Sequence, residues 1–155
     1  MNEAFMRRAI ERAVENVRSG KGGPFAALVV KDDTILGEGT NVVTSSNDPT
    51  AHAEIVAIRN ACRRLESFQL DGCDIYATCE PCPMCLGAIY WARPARVFFA
   101  ATREDAARAG FDDVFVYDEI ARPVGERQIP MRRLICDGVD LPFEAWRRFE
   151  GRVEY

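Results

Sequence analysis

A chain of 155 residues, 48% of them apolar and with a net charge of −4, is long enough to bury one core and poorly suited to gripping a polyanion, which needs a basic face. Its N-terminal stretch is never more than a few residues from a charge, and its longest uncharged apolar run, 81–92, is well short of the roughly 20 residues that cross a bilayer. These features exclude a secreted or membrane-spanning class and predict a cytoplasmic protein acting on a small molecule, with no stable nucleic-acid partner.

Phe5, Ala9, Ile10, Ala13, Val14 and Val17 recur at helical spacing over 3–17, and Ser19-Gly20 followed by Gly22-Gly23-Pro24 stops the pattern, which predicts an amphipathic first helix. The apolar run 25–31 ends in Asp32-Asp33 and extended character resumes over 34–39, which predicts a hairpin. Residues 51–65 read as a helix, 74–78 as a buried strand, 83–91 as a helix closed by Arg93-Pro94, and 97–101 as another strand. One more helix fits 103–109 and a last strand fits 131–135. Helix and strand alternating after a hairpin predict an α/β fold with at least partly parallel strands and helices covering the sheet. Over the tail 141–155, Phe143, Trp146 and Phe149 stand three residues apart and form one aromatic stripe if helical. That stripe either docks on the chain's own core or forms a surface shared with a second copy.

Six cysteines in a reducing compartment suggest thiols or metal ligation rather than disulfides. Cys62, Cys73 and Cys136 are scattered and read as inert thiols, whereas Cys79, Cys82 and Cys85 share one heptapeptide. Proline is favoured at the first position of a helix, so Pro83 makes Cys82 the cap and puts Cys85 in the first turn. The positive end of the helix dipole there favours thiolates, the form that ligates metal.

His52, the only histidine, lies in Ala51-His52-Ala53-Glu54, opening a second helix after Asp48-Pro49-Thr50. Residues two apart project roughly 200° from each other around a helix, so His52 and Glu54 cannot share a side, yet both reach a site off the N-terminal end. Two helix N-termini meeting there would bring His52, Cys82 and Cys85 to one Zn²⁺ and leave the fourth tetrahedral position for water. Cys79 as a fourth ligand would instead close a structural site.

H-x-E followed by P-C-x-x-C is the general signature of zinc deaminases, with the glutamate outside the metal shell. Two thiolates and a neutral imidazole leave the zinc site near zero net charge, so its water is acidified less than at an all-histidine site, where the pKa falls to roughly 7. A neighbouring base is then needed, and Glu54 is placed to take the water's proton and deliver it to a ring nitrogen and to the departing amine.

The segments PTAHAEIVAIR and CEPCPMCLGAIYWARPARVFFAA resemble the cytidine deaminase-like superfamily of zinc hydrolases. GGPFAALVVKD, SSNDPTAHAE, AGFDD, IPM, PFEAW and the terminal tyrosine extend the resemblance, over nearly the whole chain, to the bacterial-type guanine deaminases. The zinc motif is shared across the superfamily, and AGFDD and Tyr155 are what point to guanine.

This resemblance implies a three-layer α/β/α sandwich with a mixed, mostly five-stranded sheet, one deaminase domain over 1–155 and one zinc ion per subunit. It also implies a homodimer in which 141–155 can be exchanged, so that Tyr155 of one copy completes the pocket of the other. Zinc-activated hydroxide would attack C2 of guanine to give xanthine and ammonia in purine catabolism, with Glu54 as the proton shuttle. Asn41 would hydrogen-bond the purine, Phe25 would form a pocket wall, and Asp113 and Tyr155 would lie near the substrate. Guanosine deamination, tRNA adenosine deamination and a noncatalytic zinc module are the competing readings. The tRNA reading predicts a basic face, and the module predicts four protein ligands with no need for Glu54.

Overall fold

Asn2 caps the first helix, α1 (Glu3–Arg18), by accepting the Ala4 N–H on its side chain, and the other end closes with the Ser19 N–H on the Glu15 carbonyl and the Gly20 N–H on the Val17 carbonyl. The computed structural model describes residues 2–111 and 113–155; Met1 and Asp112, the latter in the AGFDD segment, lie outside the described residues. The chain folds as two compact units, 1–115 and 116–155.

In the first unit α1 buries Ala9, Ala13 and Asn16, while Ile10, Val14 and Val17 stay 44–49% exposed, so its apolar face is wider than the part that packs. Strands β1 (Ala26–Lys31) and β2 (Thr34–Thr40) pair antiparallel through Asp32 and Asp33, both at positive φ as a two-residue hairpin requires. A helical turn, α2 (Val43–Ser46), leads to α3 (Ala53–Leu65). Strand β3 (Asp74–Cys79) runs antiparallel to β1, and the crossover helix α4 (Pro83–Ala92) returns the chain to β4 (Arg96–Ala101), parallel to β3. The strand order is β2-β1-β3-β4.

Side chains alternate across this sheet as strand geometry demands. Ala27, Val29, Ile75 and Ala77 pack with α3 and α4 on one face. Leu28, Val30 and Tyr76 pack with Ala9 and Phe5 of α1 on the other. The result is the expected α/β/α sandwich. Helix α3 sits unusually close to β2: a Cβ added at Gly39 would lie 2.1 Å from the Ala53 carbonyl oxygen, and the facing helix positions Ala53, Ala57 and Ala61 are all small and buried. That close approach fixes the height of the α3 N-terminus over the sheet.

The sheet among the described residues has four strands, not five. Residues 131–135 form no strand; Arg132-Arg133 break the alternation, and Leu134 and Ile135 are 86% and 74% exposed, so no apolar face is buried to define one. After β4, Thr102 and Asp105 form a reciprocal capping box on α5 (Arg103–Arg108). A helix not anticipated from the pattern, α6 (Val114–Ala121), follows.

In the second unit the Arg127 guanidinium donates to the carbonyls of Ile120 and Arg122, and the Gln128 N–H to the Glu119 carboxylate. A 3-10 turn at Val124–Glu126 precedes α7 (Leu141–Arg148), which carries Phe143 and Trp146 of the expected stripe at 62% and 42% exposure; the helix ends before Phe149, an extended C-cap residue 58% exposed. Among the described residues no helix is long and apolar enough to cross a membrane.

Candidate metal centre

The approach to α3 is set by local hydrogen bonds. Asp48 accepts from the Thr50 N–H and hydroxyl at 2.8 and 2.7 Å, and the Val42 N–H donates to the Ala51 carbonyl at 3.1 Å. His52 therefore enters extended (φ −69°, ψ 157°) as the N-cap residue, and the helix begins at Ala53 rather than at 51. Cys82 is the N-cap of α4 in the same conformation (φ −65°, ψ 168°), with Pro83 behind it and the Leu86 N–H returning to its carbonyl at 2.8 Å.

These two helix starts meet. The Cys82 and Cys85 sulfurs each lie 3.5 Å from His52 Nδ1, and the three donor atoms all fall within 4.8 Å of one another. Tetrahedral ligands at zinc–sulfur and zinc–nitrogen distances of roughly 2.3 and 2.0–2.1 Å stand about 3.6 Å apart, which the two sulfur–nitrogen separations of 3.5 Å match, so the three donors suit one zinc ion. Cys79 is not part of the cluster. Its sulfur is turned to the Thr102 carbonyl oxygen at 3.5 Å, and burial pushes its thiol up to about 11, which keeps it protonated at neutral pH.

The electrostatics of the cluster suit a cation. The Cys85 thiol hydrogen-bonds Cys82 and, with His52, holds the Cys82 sulfur as a thiolate, down to about 4, against the opposing effect of burial. The proton shared with Cys82, together with burial, pushes Cys85 the other way. His52 is raised by the Cys82 hydrogen bond, with burial opposing. Two sulfurs and an imidazole contending for protons in one buried place are what a divalent cation displaces, taking both thiolates and the neutral ring.

Glu54, in the first turn of α3, is 8% exposed and its carboxyl is pushed up by burial, offset by bonds from its own N–H and from Cys85. It borders a cavity of about 310 Å³, a size typical of small-molecule sites, into which His52 and Cys82 also open. Of the other residues singled out from the sequence, Phe25, Asn41 and Asp113 line this cavity. Tyr155 belongs to the second unit, where it is 70% exposed; every lining residue comes from the first.

Glu80 and Phe111 line the cavity too and were not anticipated. Phe111 meets Phe25 edge to face, with ring centroids 4.9 Å apart. Its signal was present in AGFDD, an aromatic after Gly110, which at φ 89° turns the chain back toward the cavity at the end of α5. Glu80 accepts the Arg103 N–H at 3.2 Å, tying this wall to the start of α5.

Comparison with known proteins bears on the same residues. Positions 1–101 match the family described as the cytidine and deoxycytidylate deaminase zinc-binding region. The chain is 56% identical over 154 residues to the guanine deaminase of Bacillus subtilis (strain 168), covering 99% of each. An X-ray structure of guanine deaminase from Bacillus subtilis is similar at a TM-score of 0.97 and 57% identity, covering 100% of this chain and 99% of that one. The tRNA-specific adenosine deaminase of Aquifex aeolicus (strain VF5) is 40% identical over 118 residues, 76% of each chain. The resemblance drawn from the motifs thus extends along the whole chain.

Proposed function

The chain belongs to the cytidine and deoxycytidylate deaminase zinc-binding family, and from that premise we propose that it hydrolyses the exocyclic amino group of guanine, giving xanthine and ammonia in purine catabolism. The observation that carries the chemistry is the cluster of His52 Nδ1 and the Cys82 and Cys85 sulfurs, with buried Glu54 beside it. The choice of guanine is supported by the 56% identity over nearly the full chain to a guanine deaminase.

His52, Cys82 and Cys85 would hold the zinc, which supplies the Lewis acidity that makes water a competent nucleophile near neutral pH. Glu54 then takes a proton from the attacking water. It delivers that proton to N3 as the bond to C2 forms, and moves a second to the amino nitrogen, which leaves as ammonia. A carboxyl raised by burial is suited to this, because it gains and loses a proton with little bias near neutrality.

Asn41 accepts the Val43 N–H on Oδ1 at 3.3 Å, so its Nδ2 hydrogens are what it offers to the acceptor edge of the base. Phe25 would wall the base, and Asp113, which lines the same cavity, would lie near it. Tyr155 would complete the pocket from a second copy, in a cytoplasmic homodimer whose 141–155 segments are exchanged, with 1–155 acting as one deaminase domain. The tRNA reading rests on a relative that spans 76% of the chain, and it needs a basic face that a net charge of −4 does not favour.

Ammonia release from guanine, guanosine, adenine, cytosine and cytidine, on protein of measured zinc content, tests the assignment. Guanine should be turned over fastest by kcat/KM. Guanosine outpacing guanine would replace the substrate and leave the chemistry standing.

A further inference from the structure

The buried polar side chains of the described residues are Asn16, Glu54 and Thr78. Glu54 belongs to the site, and the other two stand behind it. Thr78 accepts the Ala26 N–H at 3.0 Å, steadying the start of β1 just after Phe25. Asn16 is 3% exposed in the last turn of α1, following Ala9 and Ala13 on the stripe that faces the sheet. An apolar residue is ordinary at such a position, and asparagine is a poor helix former.

Its Nδ2 donates to the Gly23 carbonyl at 2.9 Å and to the Asn41 carbonyl at 2.7 Å. Those oxygens belong to the two segments that carry the cavity walls. Phe25 donates its N–H to Gly23 at 2.9 Å and accepts the Asn41 N–H at 3.0 Å, so Gly23, Phe25 and Asn41 form one bonded frame. The frame is tight. A Cβ at Gly22 would lie 2.1 Å from the Asn41 carbonyl oxygen, and one at Gly23 would touch the side chains of Phe25, Asn41 and Phe111 at 3.4–3.6 Å.

We propose that Asn16 is a positioning residue for nucleobase binding: its amide, reaching from outside the cavity, clamps the carbonyls of Gly23 and Asn41 and so sets where Asn41 and Phe25 meet the base. This rests on the base-deaminating function proposed above. Without the clamp two carbonyls in a buried place lose a partner and the frame shifts to recover one. The metal-binding side chains and Glu54 are on α3 and α4, outside the frame, and keep their places. Binding of the base weakens while the chemical step is spared.

The test compares guanine kinetics, zinc content and melting temperature for the wild type, Asn16→Leu, Gly22→Ala and a control, Leu70→Ala. Asn16→Leu keeps the volume and removes the donors; Gly22→Ala displaces the same carbonyl from the other side. Each should raise KM for guanine about tenfold, hold kcat within about threefold and keep one zinc per chain, the signature of lost binding rather than lost chemistry. Leu70, a 0% exposed core residue, should lower the melting temperature when truncated and leave KM unmoved. KM unmoved in both variants, a KM shift of equal size in the control, or loss of folded protein in both variants overturns the assignment of Asn16 alone. A wild type that releases no ammonia from guanine overturns the proposed function and this inference together.

Discussion

In the first unit Leu28, Val29 and Ile75 are fully buried between helices, whereas in the second Ile129, Leu134 and Ile135 are 77%, 86% and 74% exposed. The two sets are chemically alike and differ in what surrounds them. The sheet faces of 1–115 are covered by α1 on one side and by α3 and α4 on the other, so apolar side chains there leave water within the same chain. The second unit has α7 and part of α6, and the aromatics Phe143 and Trp146 on α7 remain 62% and 42% exposed. The first unit is held by its own core and carries the whole metal cluster. The second leaves these apolar side chains exposed, and the proposed exchange of 141–155 within a homodimer would cover them.

The contrast should break hardest at the metal cluster. His52→Ala removes the one nitrogen that lies 3.5 Å from both sulfurs, and it is expected to lose stoichiometric zinc and to drop ammonia release to background, read by metal analysis and turnover on the same sample. Next comes the packing on either side of the comparison. Leu28→Ala, at 0% exposure, should cost about 2–5 kcal/mol in denaturant unfolding, and Leu134→Ala, at 86%, should stay within about 0.5 kcal/mol for the isolated chain. A cost at Leu134 that grows with protein concentration would sharpen the comparison, since it would mean that a second copy covers the residue. The smallest effect is expected at Cys79, whose thiol burial holds protonated and which faces the Thr102 carbonyl. Cys79→Ala should keep one zinc per chain and turnover within a few-fold; loss of the metal would make it a fourth ligand.

What the sequence disclosed follows the same division. Cys82 was legible as a helix cap because proline at the next position fixes where α4 begins, and His52 because Asp48-Pro49-Thr50 marks where α3 can start. The strands 74–78 and 97–101 were legible because each is a short apolar run rich in β-branched or aromatic residues and bounded by turn residues, although only β3 turns out to be buried. The last strand expected at 131–135 has no alternation of apolar and polar residues behind it, and nothing among the described residues buries Leu134 or Ile135 to enforce extended pairing.

In the site, the metal cluster was legible because its spacing is constrained by helix geometry. Glu80 was not, because it reaches the cavity from the end of β3, whose proximity no local pattern records, and Phe111 left only the trace of an aromatic after Gly110 in AGFDD, which does not show that the loop after α5 meets the cavity. Asn16 did leave a trace. It is a polar residue on the stripe running from Ala9 through Ala13, and such an interruption in an otherwise small-residue face marks a side chain with hydrogen bonds to make.

The proposed deamination requires Glu54 to move protons beside a zinc held by His52, Cys82 and Cys85. Guanine turnover and zinc content measured together for the wild type and Glu54→Gln test it. The expected result is one zinc per chain in both and a loss of turnover of about 10²–10⁴ in the variant. Wild-type protein without stoichiometric zinc, or a zinc-loaded Glu54→Gln that retains full turnover, would contradict it.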